Sequence, residues 1–219
     1  MLTLTLIDAW INHNMFFIFI DRRFSCHILS GVQYLHSKGI IHRDIKGANI
    51  LVDASCGVAK LADFGCSKQL LGIFTGSIEE SMKAIRGSVP WMAPEVIKQS
   101  GHGRPADIWS IGATMIEMAT GKPPWPEFSN NNFATLFHVA TSTSPPPIPD
   151  HLSADCRHCI GMCLMINPME RLTAQQLIDD CQFISEELKS NGGSKATANN
   201  HGQSTNVSVI DHEQPSMQI

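Results

Sequence analysis

The sequence predicts a mainly α-helical domain that carries one small β-hairpin. Helical spacing of apolar residues recurs in several separate stretches, and two short β-like runs flank a single turn. The composition, 43% hydrophobic and 16% charged over 219 residues, suits one domain with a real core. A net charge of −4 sets up no field that would draw in nucleic acid or anionic lipid, so neither is expected as a partner. Seven cysteines without a secretory-looking leader read as free thiols of a cytoplasmic protein.

Residues 1–23 form an atypical apolar segment. Its most apolar part, Met15 to Ile20, is six residues long and is closed by Asp21, Arg22 and Arg23. A membrane span needs about 20 mostly apolar residues, and a signal peptide carries its positive charge first, so no span is expected. The stretch is expected either to pack on the core as a strand or helix, or to be foreign to the domain. Phe24 to His36 follows as an amphipathic helix, with Phe24, Ile28, Leu29, Val32 and Leu35 three and four apart and Gly39 beyond its end. Asn49 to Val52 and Val58 to Leu61 read as strands around the turn Asp53 to Gly57. From Asp63 to Glu95 no period stands out, which suggests a long functional loop.

Ala106 to Thr120 is apolar nearly all round, with Pro105 near its start and Gly121 at its end. Such a helix belongs in the middle of a core. Proline-rich breaks at Pro123 to Pro126 and Pro145 to Pro149 precede two more helices, around Ser153–Met165 and Thr173–Glu187. The domain is expected to run over 24–187, and 188–219, rich in Asn, Gly, Ser and Gln, to be a disordered polar tail. Cys156, His158, Cys159 and Cys163 invite a zinc reading, but all four fall in one helix. Buried free cysteine is the better expectation.

Three segments carry the chemistry: His42-Arg43-Asp44-Ile45-Lys46-Gly47-Ala48-Asn49, then Asp63-Phe64-Gly65, then Ala93-Pro94-Glu95. In order and spacing they resemble the H-R-D-x-K-x-x-N, D-F-G and A-P-E set of the protein kinases. Asp107 to Ser110 and Asn167 to Arg171 match two later motifs of that fold. The resemblance implies the C-terminal lobe of a protein kinase, helical with a small hairpin at the catalytic loop. The hairpin brings Asn49 and Asp63, at its two open ends, side by side. An amide oxygen and a carboxylate converging there suit Mg²⁺, whereas a polar hairpin end with no ion is the blander alternative.

By the same resemblance Asp44 accepts or steers the proton of the substrate hydroxyl, and Lys46 reaches the transferred phosphoryl group. Lys46, Asn49, Leu51 and Asp63 would bind ATP, with Asn49 and Asp63 as the metal ligands. Lys46 also points to serine/threonine substrates. Arg43 would pair with a phosphate on the long loop, where Thr75, Ser77 and Ser81 are the candidate acceptors. His42 and Phe64 would stack, Asp107 would hold the catalytic loop through backbone N–H groups, and Glu95 and Arg171 would form a buried pair.

Gly47-Ala48, Lys60 to Gly65, Trp91 to Val96 and Met118 to Trp125 are similar to the MAP kinase kinase kinases, which implies a MAP kinase kinase as protein substrate. Ser88 keeps a family hydroxyl, while Pro90 replaces an aromatic and removes an N–H donor. Only 41 residues precede His42, whereas the N-terminal lobe of a kinase needs roughly 60 before that point. They hold no G-x-G-x-x-G, and their one lysine is Lys38. No complete N-lobe is therefore expected, and the chain reads as a shortened form with little activity by itself. The alternative function is a non-catalytic lobe that binds a protein partner.

Overall fold

Phe24, Ile28, Leu29, Val32 and Leu35 are all buried, and the helix they define, α1 (Arg22–Ser37), lies against the centre of the molecule. The computed structural model describes residues 3–5, 22–53, 57–69, 88–101, 103–128 and 130–192. The two residues that α1 adds before Phe24 have a cause the sequence pattern does not show. Arg22 pairs with Glu186 at 2.6 Å and lies over the Phe183 ring, 5.1 Å from its centre.

The hairpin is β3 (Ile50–Asp53) with β4 (Val58–Leu61), antiparallel, with Val52 opposite Ala59. On its other side β3 pairs with β1 (Thr3–Thr5), Leu4 opposite Val52, so the N-terminal segment contributes an edge strand. Residues 6–21, with the apolar patch, lie outside the described residues. A two-residue β2 (Ile40–Ile41) pairs with β5 (Lys68–Gln69) just beyond the D-F-G segment.

The expected long loop contains short structure: 3₁₀ turns at Phe64–Cys66 and Val89–Trp91, and α2 (Pro94–Ile97). Thr75, Ser77 and Ser81 fall in 70–87, outside the described residues. Helix α3 (Arg104–Thr120) is buried almost throughout, with Ile108, Trp109, Ile111 and Met115 fully enclosed, and Gly121 closes it at φ 64°. It packs against α1, the catalytic loop, the Val89–Trp91 turn and α5 (Ala154–Cys163). Gly112 permits the last contact, since a Cβ there would lie 2.7 Å from Cys163 Cβ.

Helix α4 (Asn132–Thr141) went unrecognised in the sequence, although Asn131 caps it by accepting from the Phe133 and Ala134 N–H groups. It buries only Thr135 and Val139 and exposes Phe133 and Phe137, so its apolar residues mark no core-facing stripe.

The single helix expected over Thr173–Glu187 is two, α6 (Ala174–Asp180) and α7 (Gln182–Gly192), broken at Cys181 with ψ 113°. Cys181, Phe183 and Ile184 all enter the core. At about 100° per residue an unbroken helix would turn 181 and 183 to opposite sides. The last helix runs to Gly192, five residues into the stretch expected to be a disordered tail. Cys26, Cys156, Cys159, Cys163 and Cys181 form no disulfide and are buried together in this part of the core. No cluster of metal-ligating side chains occurs among the described residues, and no helix among them is long and apolar enough to cross a membrane.

Candidate active site

The catalytic loop, 42–49, is held from below by the buried carboxylate of Asp107 on α3. One of its oxygens accepts from the His42 N–H at 2.8 Å and the other from the Arg43 N–H at 2.9 Å. His36 Nε2 lies 2.9 Å from the first oxygen. Three elements thus meet on one side chain, and Arg43 is fixed at φ 72°, a left-handed conformation that non-glycine residues adopt only under constraint.

The loop then turns its functional side chains inward on one another. Lys46 Nζ donates to Asp44 Oδ1 at 3.1 Å and Oδ2 at 2.9 Å. Asn49 Nδ2 donates to Asp44 Oδ2 and to the Asp44 carbonyl, both at 2.8 Å. Ser88 Oγ donates to Asp44 Oδ1 at 2.5 Å and accepts from Lys46 Nζ at 2.8 Å. Burial alone would push the Asp44 carboxyl up, but the Ser88 hydroxyl, Lys46 and Asn49 outweigh it and hold it below the usual range. Asp44 is therefore ionised and acceptor-only at neutral pH.

Asp63 stands at the other open end of the hairpin. The Ala62 N–H donates to the Asn49 carbonyl at 2.9 Å, and Asp63 itself is exposed at φ 60° with Oδ1 accepting from the Gly65 N–H at 3.2 Å. Asp44 and Asp63 both act on Cys66, whose thiol burial and these two charges push up. His42 packs on Phe64 with ring centres 5.1 Å apart, and its Nε2 lies 3.2 Å from the Ala62 carbonyl. Burial pushes His42 down, so the ring is neutral and donates from Nε2. Leu51 is half-buried on the face of the sheet opposite Ile50 and Val52, paired with Thr5 and Lys60.

The family model described as protein kinase domain matches residues 6–183. This chain belongs to the protein kinase family. Mitogen-activated protein kinase kinase kinase A of Dictyostelium discoideum is 48% identical over 151 residues, 69% of this chain and 15% of that protein. Mitogen-activated protein kinase kinase kinase 2 of Arabidopsis thaliana is 46% identical over 179 residues, 82% of this chain and 27% of its own. Mitogen-activated protein kinase kinase kinase 19 of Homo sapiens is 43% identical over 158 residues, 71% of this chain and 12% of that protein. By family the chain is a serine/threonine protein kinase, MAP kinase kinase kinase-like, and it spans a small part of the length of these relatives.

Two further features complete this kinase lobe. Arg171 grips Glu95 with two hydrogen bonds, Nη1 to Oε1 at 2.5 Å and Nη2 to Oε2 at 2.8 Å, and also donates to the carbonyls of Met165, Pro105 and Ile166. The buried pair expected from sequence is therefore in place. Glu117 on α3 had no signal in the motifs. It is 7% exposed, and its Oε2 accepts from the Gly47 N–H at 2.8 Å and the Trp91 indole N–H at 2.9 Å. Its place ten residues after Asp107, inside an apolar helix, was the available clue: a buried acid is kept only with partners.

The donor set fits Mg²⁺–ATP. Asn49 spends its amide nitrogen on Asp44, leaving its side-chain oxygen to face a cation, and Asp63, exposed and next to the residue whose N–H bonds the Asn49 carbonyl, would add a carboxylate. Hard oxygen donors of this kind are what Mg²⁺ takes.

Proposed function

We propose that this lobe transfers the γ-phosphoryl group of ATP to a serine or threonine of a MAP kinase kinase, in a cytoplasmic MAP kinase cascade. The observation that carries the reading is the convergence of Asp44, Lys46, Asn49 and Ser88 through direct hydrogen bonds. Asp44 orients the incoming hydroxyl by accepting its hydrogen bond. Its depressed pKa argues for steering with late proton transfer rather than early deprotonation, which suits a loose phosphoryl-transfer transition state. Lys46 holds Asp44 and offers positive charge to the moving group, while Asn49 and Asp63 would hold the metal. What Mg²⁺ supplies when bound is neutralisation of the triphosphate charge. Arg43, whose Nε is buried with no hydrogen-bond partner among the described residues, is the group for a phosphate on the long loop.

The test incubates the protein with labelled ATP, Mg²⁺ and a kinase-dead MAP kinase kinase. Weak transfer is expected, falling by about 10²–10⁴ in Asp44→Asn and lost with metal-dependent nucleotide binding in Asp63→Asn. The alternative reading is docking without transfer. Tight binding of the MAP kinase kinase with no labelled product would support that reading and sink the first.

A further inference from the structure

Helix α3 ends beside a cavity that phosphoryl transfer does not use. Its volume is about 570 Å³, inside the range of small-molecule sites, and it is half-open to solvent. Ala119 and Trp125, both buried, form its floor. Four prolines stand around them. Pro123 and Pro126 come from the turn after α3, and Pro147 and Pro149 from the segment before α5. Each ring fixes its own φ and has almost no side-chain freedom to lose. Walls of this kind resist collapse and cost little to order around a ligand.

Trp125 supplies an independent sign. It is bulky, 3% exposed and held at φ 62°, a left-handed conformation that costs such a residue energy. Its ring meets that of His138 edge to face, 4.7 Å between centres. Its indole N–H is nonetheless buried with no hydrogen-bond partner among the described residues. Buried donors are normally answered, and backbone strain gathers where a ligand is gripped.

Charge at the rim narrows the ligand. Thr120 Oγ1 accepts from the Lys122 N–H at 3.2 Å, which fixes the Lys122 backbone beside the opening. The Lys122 ammonium makes no ion pair among the described residues. His151 lies on the same rim, and the rim carboxylate of Asp150 already faces Arg157 at 3.9 Å. An unanswered cation over an apolar floor suits an anion with an apolar body.

We propose that this cavity binds a small amphiphilic carboxylate, its apolar body on Ala119, Trp125 and the proline rings and its carboxylate at Lys122. The site shares no residue with the catalytic loop, so it stands or falls apart from the kinase reading.

Decanoate is the probe, titrated below its micellar concentration into the full chain and followed by NMR of the indole N–H groups. The Trp125 signal should shift saturably. The Trp109 indole, equally buried and unpartnered but outside the cavity, should not move. Lys122→Gln, at an exposed side chain, should weaken decanoate about two- to fivefold, the worth of an exposed ion pair, and leave decanol binding unchanged. Ala119→Met fills the floor and should abolish binding of both probes. Should that variant not fold, the comparison of decanoate with decanol in Lys122→Gln decides alone. No saturable shift at Trp125, a matching shift at Trp109, or equal treatment of the two probes by Lys122→Gln overturns the proposal. So does a response of Trp125 to an apolar peptide amide but not to decanoate, which would make the cavity a protein-docking groove.

Discussion

Asp44 is a carboxylate pulled two ways. Burial raises its pKa, and three hydrogen-bonding neighbours lower it further than burial lifts it. Because the folded value lies below the unfolded one, near 3.9, ionised Asp44 contributes stability above that pH. The contribution is lost as pH falls through the folded pKa. Ser88→Ala removes the first of the lowering groups, so the Asp44 carboxyl should titrate at higher pH, and acid sensitivity should begin earlier. Ser88→Thr, which keeps the hydroxyl, should restore the parent curve. Carbon-detected NMR titration of Asp44 reads this directly, and an unmoved midpoint in Ser88→Ala would remove Ser88 from the account. Legibility at this scale follows locality. Asp44, Lys46 and Asn49 act within one turn of chain, so their order in sequence nearly implies their contacts. Glu117 meets Gly47 across 70 positions, and no spacing rule reports that.

At the scale of elements, the helices legible in sequence were those whose apolar face meets the core, as in α1 and α3. Helix α4 escaped because it shows Phe133 and Phe137 to solvent, and the break at Cys181 because no proline or glycine marks it. Pairing of Leu4 with Val52 was equally hidden, since three residues of alternating Thr and Leu carry little signal. How closely helices approach is another property that only packing reveals. Gly112 sits where α3 meets α5, with a Cβ there 2.7 Å from Cys163 Cβ and 2.9 Å from Leu164 Cγ. Helix propensity favours Gly112→Ala by about 1 kcal/mol. Overpacking against rigid neighbours opposes it by about 1–3 kcal/mol. The clash should win, lowering Tm, and a variant that melts higher than the parent would show that α5 gives way easily.

Across the whole molecule, Arg171 ties together parts that share no sequence neighbourhood. Its guanidinium joins Glu95 on α2, the Pro105 carbonyl at the start of α3 and the Met165 and Ile166 carbonyls after α5, and lies over the Trp109 ring at 5.0 Å. Breaking such a pair from one side strands the other charge, so Arg171→Met should cost about 3–5 kcal/mol in urea unfolding. Glu95→Gln keeps one acceptor oxygen and turns an amide NH2 toward the other guanidinium N–H, but Arg171 retains its three carbonyl acceptors, so it should cost less than Arg171→Met. Removing both partners with Glu95→Leu and Arg171→Met relieves the stranded acid, yet leaves three carbonyls without their donor, at roughly 1–3 kcal/mol for each one that water does not reach. The double variant should therefore lie between the parent and Arg171→Met. Should Arg171→Met cost under about 1 kcal/mol, within the range of an exposed pair, the guanidinium is not the fastener that its five hydrogen bonds imply.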